Sequence, residues 1–148
     1  MSDDVRLIDT NILVHAYTIA DDRKHQIARG LLEAVWQGEE ACTTLQNLCE
    51  FFLVVTKKVS RPMPIAAAER VVEGILRSTR WRVIDREPEA LLRAIEWVKT
   101  RRVPFWDALI AAAMIAHGVS VILTEIERDF ARIPGLTVIN PFRARLRQ

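Results

Sequence analysis

This 148-residue chain has two cysteines, three histidines and no long apolar run, and each scarcity excludes a class of protein. Cys42 and Cys49 lack the CxxC spacing of a zinc cage or dithiol redox pair, so both read as buried free thiols. Glycine and proline are modest in number and no polar tract repeats. In a chain that is 50% apolar and 27% charged, this argues against disorder. The longest apolar stretch, Ala108 to Ala116, is too short to cross a bilayer. The opening residues MSDDVRLIDTN are acidic and lack the apolar core of a signal peptide. A soluble cytoplasmic protein with no membrane partner is expected. An excess of charge of either sign is lacking too. At a formal net charge of +2 no chain-wide basic field announces a nucleic-acid ligand, so local distribution must decide.

What is present is one domain's worth of alternating strand and helix signals. Val5 to Ile8 is a short β-rich run ending at Asp9, and Asn11 to Ile19 has helical spacing. Asp22 to Trp36 predicts a second helix, closed by Gly38, and Glu40 to Thr43 a strand. Thr44 caps the next helix, with Asn47 three residues on. Arg61-Pro62-Met63-Pro64 breaks that helix, because neither proline donates a backbone hydrogen bond. Helical spacing resumes from Ile65 to Leu76. Trp81 to Ile84 is a strand, Pro88 opens a helix reaching Thr100, and Asp107 to His117 is a helix stopped by Gly118. Val119 to Leu123 and Leu136 to Ile139 complete the strands. Strands separated by helices predict a three-layer α/β/α sandwich with a short, mainly parallel central sheet. In such sheets chemistry gathers at the carboxyl ends of the strands. That nominates Asp9 and the segment from Thr124 to Asp129.

Three acids stand out against their surroundings. Asp9 ends a buried strand; capping the next helix is its plainest role, but Asp9-Thr10-Asn11 supplies three short polar side chains where one suffices. Glu50 sits among Leu48, Cys49, Phe51 and Phe52, where a carboxylate is costly without a cation or donor; the alternative is a solvent-facing position. Asp107 opens a nearly all-apolar helix, where the helix dipole favours it and a metal ion would too. Three carboxylates from three segments form the oxygen-rich set that Mg²⁺ or Mn²⁺ prefers. A divalent cation relieves their repulsion, activates a water for attack on phosphorus and stabilises the developing charge. His15, His25 and His117 are scattered and are read as structural or exposed.

Asp9-Thr10-Asn11, Glu50 within Asn47-Leu48-Cys49-Glu50-Phe51, and Phe105-Trp106-Asp107-Ala108 together resemble the PIN-domain family, and more narrowly its VapC-type toxins of toxin–antitoxin pairs. The likeness runs through nearly the whole chain, including Leu136-Thr137-Val138-Ile139-Asn140-Pro141-Phe142. It implies a Mg²⁺-dependent ribonuclease (Mn²⁺ as an alternative metal), held inactive by a cognate antitoxin whose helical tail fills an apolar groove, and commonly a homodimer. It carries over Asp9, Glu50 and Asp107 as metal-site acids, with Asn11 and Thr124 as supporting polar groups. The family's fourth acid follows the strand-ending Ser or Thr by two residues. Here that position is Ile126. Asp129 is the first choice for the missing ligand, Glu127 the second, and Glu125 is also near; the alternative is a site that works with three acids.

Basic residues gather at Lys57-Lys58-Arg61, at Arg77, Arg80 and Arg82, at Lys99-Arg101-Arg102, and at Arg143, Arg145 and Arg147. Lys99, Arg101 and Arg102 precede Asp107 and are the best placed to hold phosphates. Trp81 and Trp106 read as core residues, with stacking on unpaired bases as the alternative. A rival reading is a catalytically weak RNA-binding module, its metal site incomplete at Ile126. A phosphoacceptor receiver is disfavoured, since it needs an acidic pair after its first strand and a late lysine.

Overall fold

The computed structural model describes residues 5–143; the basic residues Arg145 and Arg147 lie outside the described residues. Five strands form the centre: β1 (Arg6–Ile8), β2 (Ala41–Thr44), β3 (Trp81–Ile84), β4 (Val121–Leu123) and β5 (Thr137–Ile139). Between β1 and β2 come α1 (Thr10–Tyr17) and α2 (Asp22–Trp36); between β2 and β3, α3 (Leu45–Lys57) and α4 (Ile65–Arg77). Then α5 (Pro88–Arg101) and α6 (Phe105–Ala116) lead to β4, and a short α7 (Glu127–Phe130) leads to β5.

Every strand pairing is parallel, in the order β3-β2-β1-β4-β5. The expected α/β/α sandwich is therefore found. The chain moves outward from β1 to β2 and β3, then crosses back to β4 and β5. The order reverses between β1 and β4, and the carboxyl ends of both strands face the crevice this reversal opens.

Successive strand residues point to opposite faces, which lets one short strand serve two cores. Leu7 packs with Cys42, Ile122 and the apolar faces of α5 and α6. Ile8 packs on the other face with Leu123, Trp81 and residues of α1 to α4. This is why the strands read as unbroken apolar runs rather than as alternating ones.

The boundaries differ from expectation where local signals were incomplete. Helix α6 begins at Phe105 after Pro104, whose φ of −56° suits a helix start, so Asp107 is its third residue and not its opener. Strand β4 starts at Val121, because Gly118 takes φ +74° and Val119 still hydrogen-bonds back to Met114. Strand β2 lies one residue later than expected and ends on Thr44, which also caps α3. Helix α7 was not expected at all. It is a single turn inside what reads as a loop. Cys42 is buried as expected, but Cys49 is exposed on α3.

Candidate active site

Asp9 follows β1 and is buried, with only 4% of its surface exposed. It caps α1 as the plain reading held, taking the Thr10 backbone N–H on Oδ1 at 2.8 Å. It does more than that. Asn47 donates to Oδ1 at 2.9 Å, while Thr124 and Asn11 donate to Oδ2 at 2.7 and 3.2 Å. Burial pushes the Asp9 carboxyl above its usual range; the donors from Thr124, Thr10 and Asn47 oppose this, and the Glu50 charge adds to it.

The donors are fixed in direction by bonds behind them. The Thr124 hydroxyl accepts from Ile126 N and from Asn11 Nδ2, so its own proton goes to Asp9. Asn11 Oδ1 accepts the Glu125 backbone N–H at 3.2 Å, which ties α1 to the loop after β4. Asn47 was read from the sequence only as a partner of the helix cap. It is that, through a capping box with Thr44, but its amide nitrogen also holds Asp9 and Thr10. The signal available was the polarity of Asn47 one turn before Glu50 on an apolar helix.

Glu50 lies on the same face of α3 as Gln46 and Asn47, at helical spacings of three and four residues. It is neither buried bare nor fully solvated. Its oxygens accept from Thr10 Oγ1 at 2.8 Å and Gln46 Nε2 at 3.1 Å. Asp107, half-buried in the first turn of α6, has its carboxyl pushed up to about 7, first by burial and then by the charges of Asp9, Asp129 and Glu50. All four influences disfavour the anion.

The two other acids near β4 are engaged elsewhere. Glu125 pairs with Lys24 at 2.8 Å and His15 at 3.2 Å. Glu127 accepts from Asn140 at 2.8 Å and Arg143 at 2.6 Å. Among the described residues no side chain hydrogen-bonds the Asp129 carboxylate, and its charge helps to raise the Asp107 carboxyl. Ile126 is 40% exposed. The histidines are not gathered at the acids: His25 bonds to the backbone carbonyl of His15 at 2.9 Å, and His117 to that of Ala113 at 2.9 Å.

The PIN domain family model matches residues 6–136. The chain belongs to the PIN-domain family. No curated protein matches this PIN domain in sequence. Solved structures do match in fold. A toxin–antitoxin complex from Klebsiella pneumoniae is 23% identical with a TM-score of 0.65, covering 92% of this chain and 97% of that one. The sarcin–ricin loop cleaving toxin VapC20 of Mycobacterium tuberculosis is 20% identical with a TM-score of 0.66, covering 84% and 92%. DNA-bound VapBC from Salmonella typhimurium is 24% identical with a TM-score of 0.60, covering 90% and 96%.

Beside the acids of this PIN domain lies a cleft of about 390 Å³, with Glu50 in its wall. The basic residues expected near the acids do not line it. Lys99 pairs with Glu96 at 3.7 Å, and Arg101 and Arg102 are exposed at the end of α5. Arg86, after β3, lines the cleft instead; the sequence offered only its place at a strand's carboxyl end. Trp81 is buried as expected. Trp106 is not a core residue: it is 57% exposed and forms a wall of the same cleft, because the apolar face of α6 starts only at Ala108.

A divalent cation fits the donor set in charge and hardness: carboxylate oxygens and no thiolate or imidazole. Among the described residues no three His, Cys, Asp or Glu side chains converge closely enough to hold an ion as they stand.

Proposed function

We propose that this PIN domain is a Mg²⁺- or Mn²⁺-dependent endoribonuclease and the toxin of a toxin–antitoxin pair. The observation that carries the reading is Asp107, half-buried in the first turn of α6, whose carboxyl is pushed up by burial and by the charges of Asp9, Asp129 and Glu50. Asp9, Glu50, Asp107 and Asp129 are the residues that would hold the metal. When bound, it neutralises the cluster, lowers the pKa of a water and stabilises charge on the phosphoryl oxygens. Asn11, Asn47 and Thr124 orient the Asp9 carboxylate, since all three donate to it. The 3.2 Å bond from Asn11 is the longest of the set and the one that yields most easily to a cation.

Two surfaces support the partners. An apolar groove of about 780 Å³ runs between α3 and α4, floored by Leu48 and Phe52 and edged by Leu45, Leu53 and Leu76. Its dimensions and apolar character suit an amphipathic antitoxin helix, and Glu69 at its rim favours a basic residue on that helix, Glu73 being paired with Arg77 at 2.8 Å. On α5, Leu91, Leu92, Ile95 and Val98 are all exposed along one side, an apolar stripe that suits a homodimer contact. Complexes among the structural neighbours carry toxin with antitoxin, which supports the first assignment. No described helix is long and apolar enough to cross a membrane.

The test is cleavage of RNA by the purified chain with and without Mg²⁺ or Mn²⁺, alongside Asp9→Asn and Asp107→Asn. Cleavage should need metal and be lost in both variants while the fold persists. Undiminished cleavage in excess EDTA would sink the reading. RNA binding without metal binding or cleavage would favour a catalytically weak binding module.

A further inference from the structure

We propose that the cleft between Trp106 and Arg86 is a nucleotide subsite: one unpaired RNA base stacks on the Trp106 indole while a neighbouring phosphate binds the Arg86 guanidinium. This rests on the nuclease reading and names which residues take the nucleotide beside the cut. Trp106 leaves 57% of its surface in water although Phe105 next to it is partly buried and Ala108 wholly so. An exposed indole in a concave wall offers a free face on which a base can stack. Phe105 meets the indole edge to face at 5.0 Å and 69°, so the ring is braced.

Gln46 ties the cleft together. Its amide nitrogen donates to Glu50 Oε2 at 3.1 Å and to the Trp106 carbonyl at 3.2 Å. Its carbonyl oxygen accepts from Arg86 Nη1 at 3.4 Å. One side chain on α3 thereby fixes the distances between an acid of the cluster, the aromatic wall and the cation. Among the described residues Arg86 has no carboxylate at ion-pair distance; Asp85 beside it accepts the Arg86 backbone N–H instead. The guanidinium charge is left for a ligand, and its planar fork suits phosphate. The volume of about 390 Å³ falls at the small end of ligand sites, as a single nucleotide requires.

The same bonds define what the subsite cannot do. With the Gln46 amide committed at both ends, it is not offered to a base edge, and stacking accepts any base. A base inside a duplex has no free face to offer. The substrate therefore presents an unpaired nucleotide next to the scissile phosphate, and its base identity is read elsewhere.

The experiment uses the full chain carrying Asp107→Asn, which removes cleavage, and follows the anisotropy of a labelled oligouridylate and of a matched RNA duplex. Adding Trp106→Leu should weaken oligouridylate binding about tenfold or more, while Trp106→Phe stays within about threefold. Arg86→Gln should weaken it and reduce the slope of log affinity against log salt by about 0.7, one phosphate contact to a single strand. Duplex binding should be weaker and indifferent to Trp106→Leu. Trp106 and Arg86 are both exposed, so thermal melts should show each variant folded. Unchanged oligouridylate affinity in Trp106→Leu and Arg86→Gln overturns the subsite; metal-dependent cleavage by the parent chain would then leave the nuclease reading standing. A parent that neither cuts nor binds RNA overturns both.

Discussion

Asn47 donates one amide hydrogen to Asp9 Oδ1 and the other to Thr10 Oγ1, both at 2.9 Å, so a buried side chain at the start of α3 fixes the carboxylate that ends β1. Its carbonyl oxygen meanwhile takes the Thr44 hydroxyl at 2.7 Å and backbone N–H at 3.2 Å. Helix cap and acid cluster are one network, and its strength is measurable.

Asn47→Ala removes a donor from Asp9 and leaves two Thr44 donors without their acceptor. Buried unpaired groups make this cost about 2–3 kcal/mol. Urea denaturation followed by circular dichroism should show the midpoint falling. An unchanged midpoint would mean that water satisfies these groups and the network does not stabilise the fold.

Asp107→Asn should stabilise the metal-free protein at alkaline pH. The folded carboxyl is pushed up to about 7 from a usual 3.8, so between those values the native state keeps a proton that the unfolded chain has released. Stability from this group is therefore lost as pH rises through that window. In EDTA at pH 8 the variant should melt higher than the parent by roughly 3 °C, the shift about 1 kcal/mol makes in a chain of this size. Below pH 4 the two should coincide. A parent that melts higher at pH 8 would contradict the assignment.

Mg²⁺ or Mn²⁺ should raise the melting temperature of the parent, because a ligand that binds only the folded state stabilises it, by about 2.7 kcal/mol at a hundredfold excess over Kd. Asp107→Asn should lose most of that rise. Calorimetric scans with and without metal check this, and equal shifts in parent and variant would place the metal elsewhere.

Asp129, rather than Glu125 or Glu127, should complete the acid set. Asp129→Asn should reduce cleavage about 100-fold or more, beyond what loss of an outer partner to a ligand usually costs. Glu127→Gln should leave cleavage unchanged, since its carboxylate is held by Asn140 and Arg143. The opposite ranking in a cleavage assay would reassign the fourth ligand to Glu127.

Only one thiol should react in the native protein. Cys42 is buried on β2, and burial pushes its thiol up to about 12, whereas Cys49 is exposed where the cleft and the α3–α4 groove meet. Titration with a chromogenic disulfide should count one thiol before denaturation and two after it. A helical peptide filling the groove should slow the reaction of Cys49. Two fast thiols in the native state would mean that β2 opens.

The legible part of this protein was local in origin. Trp81–Ile84 reads as a strand from its own composition, and Thr44 with Asn47 marks a helix start because capping involves residues three apart. Helix α7 escaped because Glu127 to Phe130 is one turn long and has no side-chain cap for a pattern to register. Cys49 looked buried because it follows Leu48 on an apolar helix, yet successive helix residues point about 100° apart. Trp106 was misjudged for the same reason, standing next to a buried helical stretch without facing its core.

By itself, then, the sequence determined the order of the strands and of the longer helices and the parallel sheet, and it nominated three acids, since each of these follows from periodicity or from a residue's immediate neighbours. Only the tertiary structure decided which side chains serve those acids. Asp9, Asn47 and Thr124 meet because β1 lies between β2 and β4 in the sheet. Arg86 reaches the cleft because β3 pairs with β2, and Glu125 is withdrawn because α1 and α2 bring His15 and Lys24 to it. Hydrogen bonds act over about 3 Å in space whatever the separation along the chain. Partners so far apart in sequence leave no local trace of their meeting.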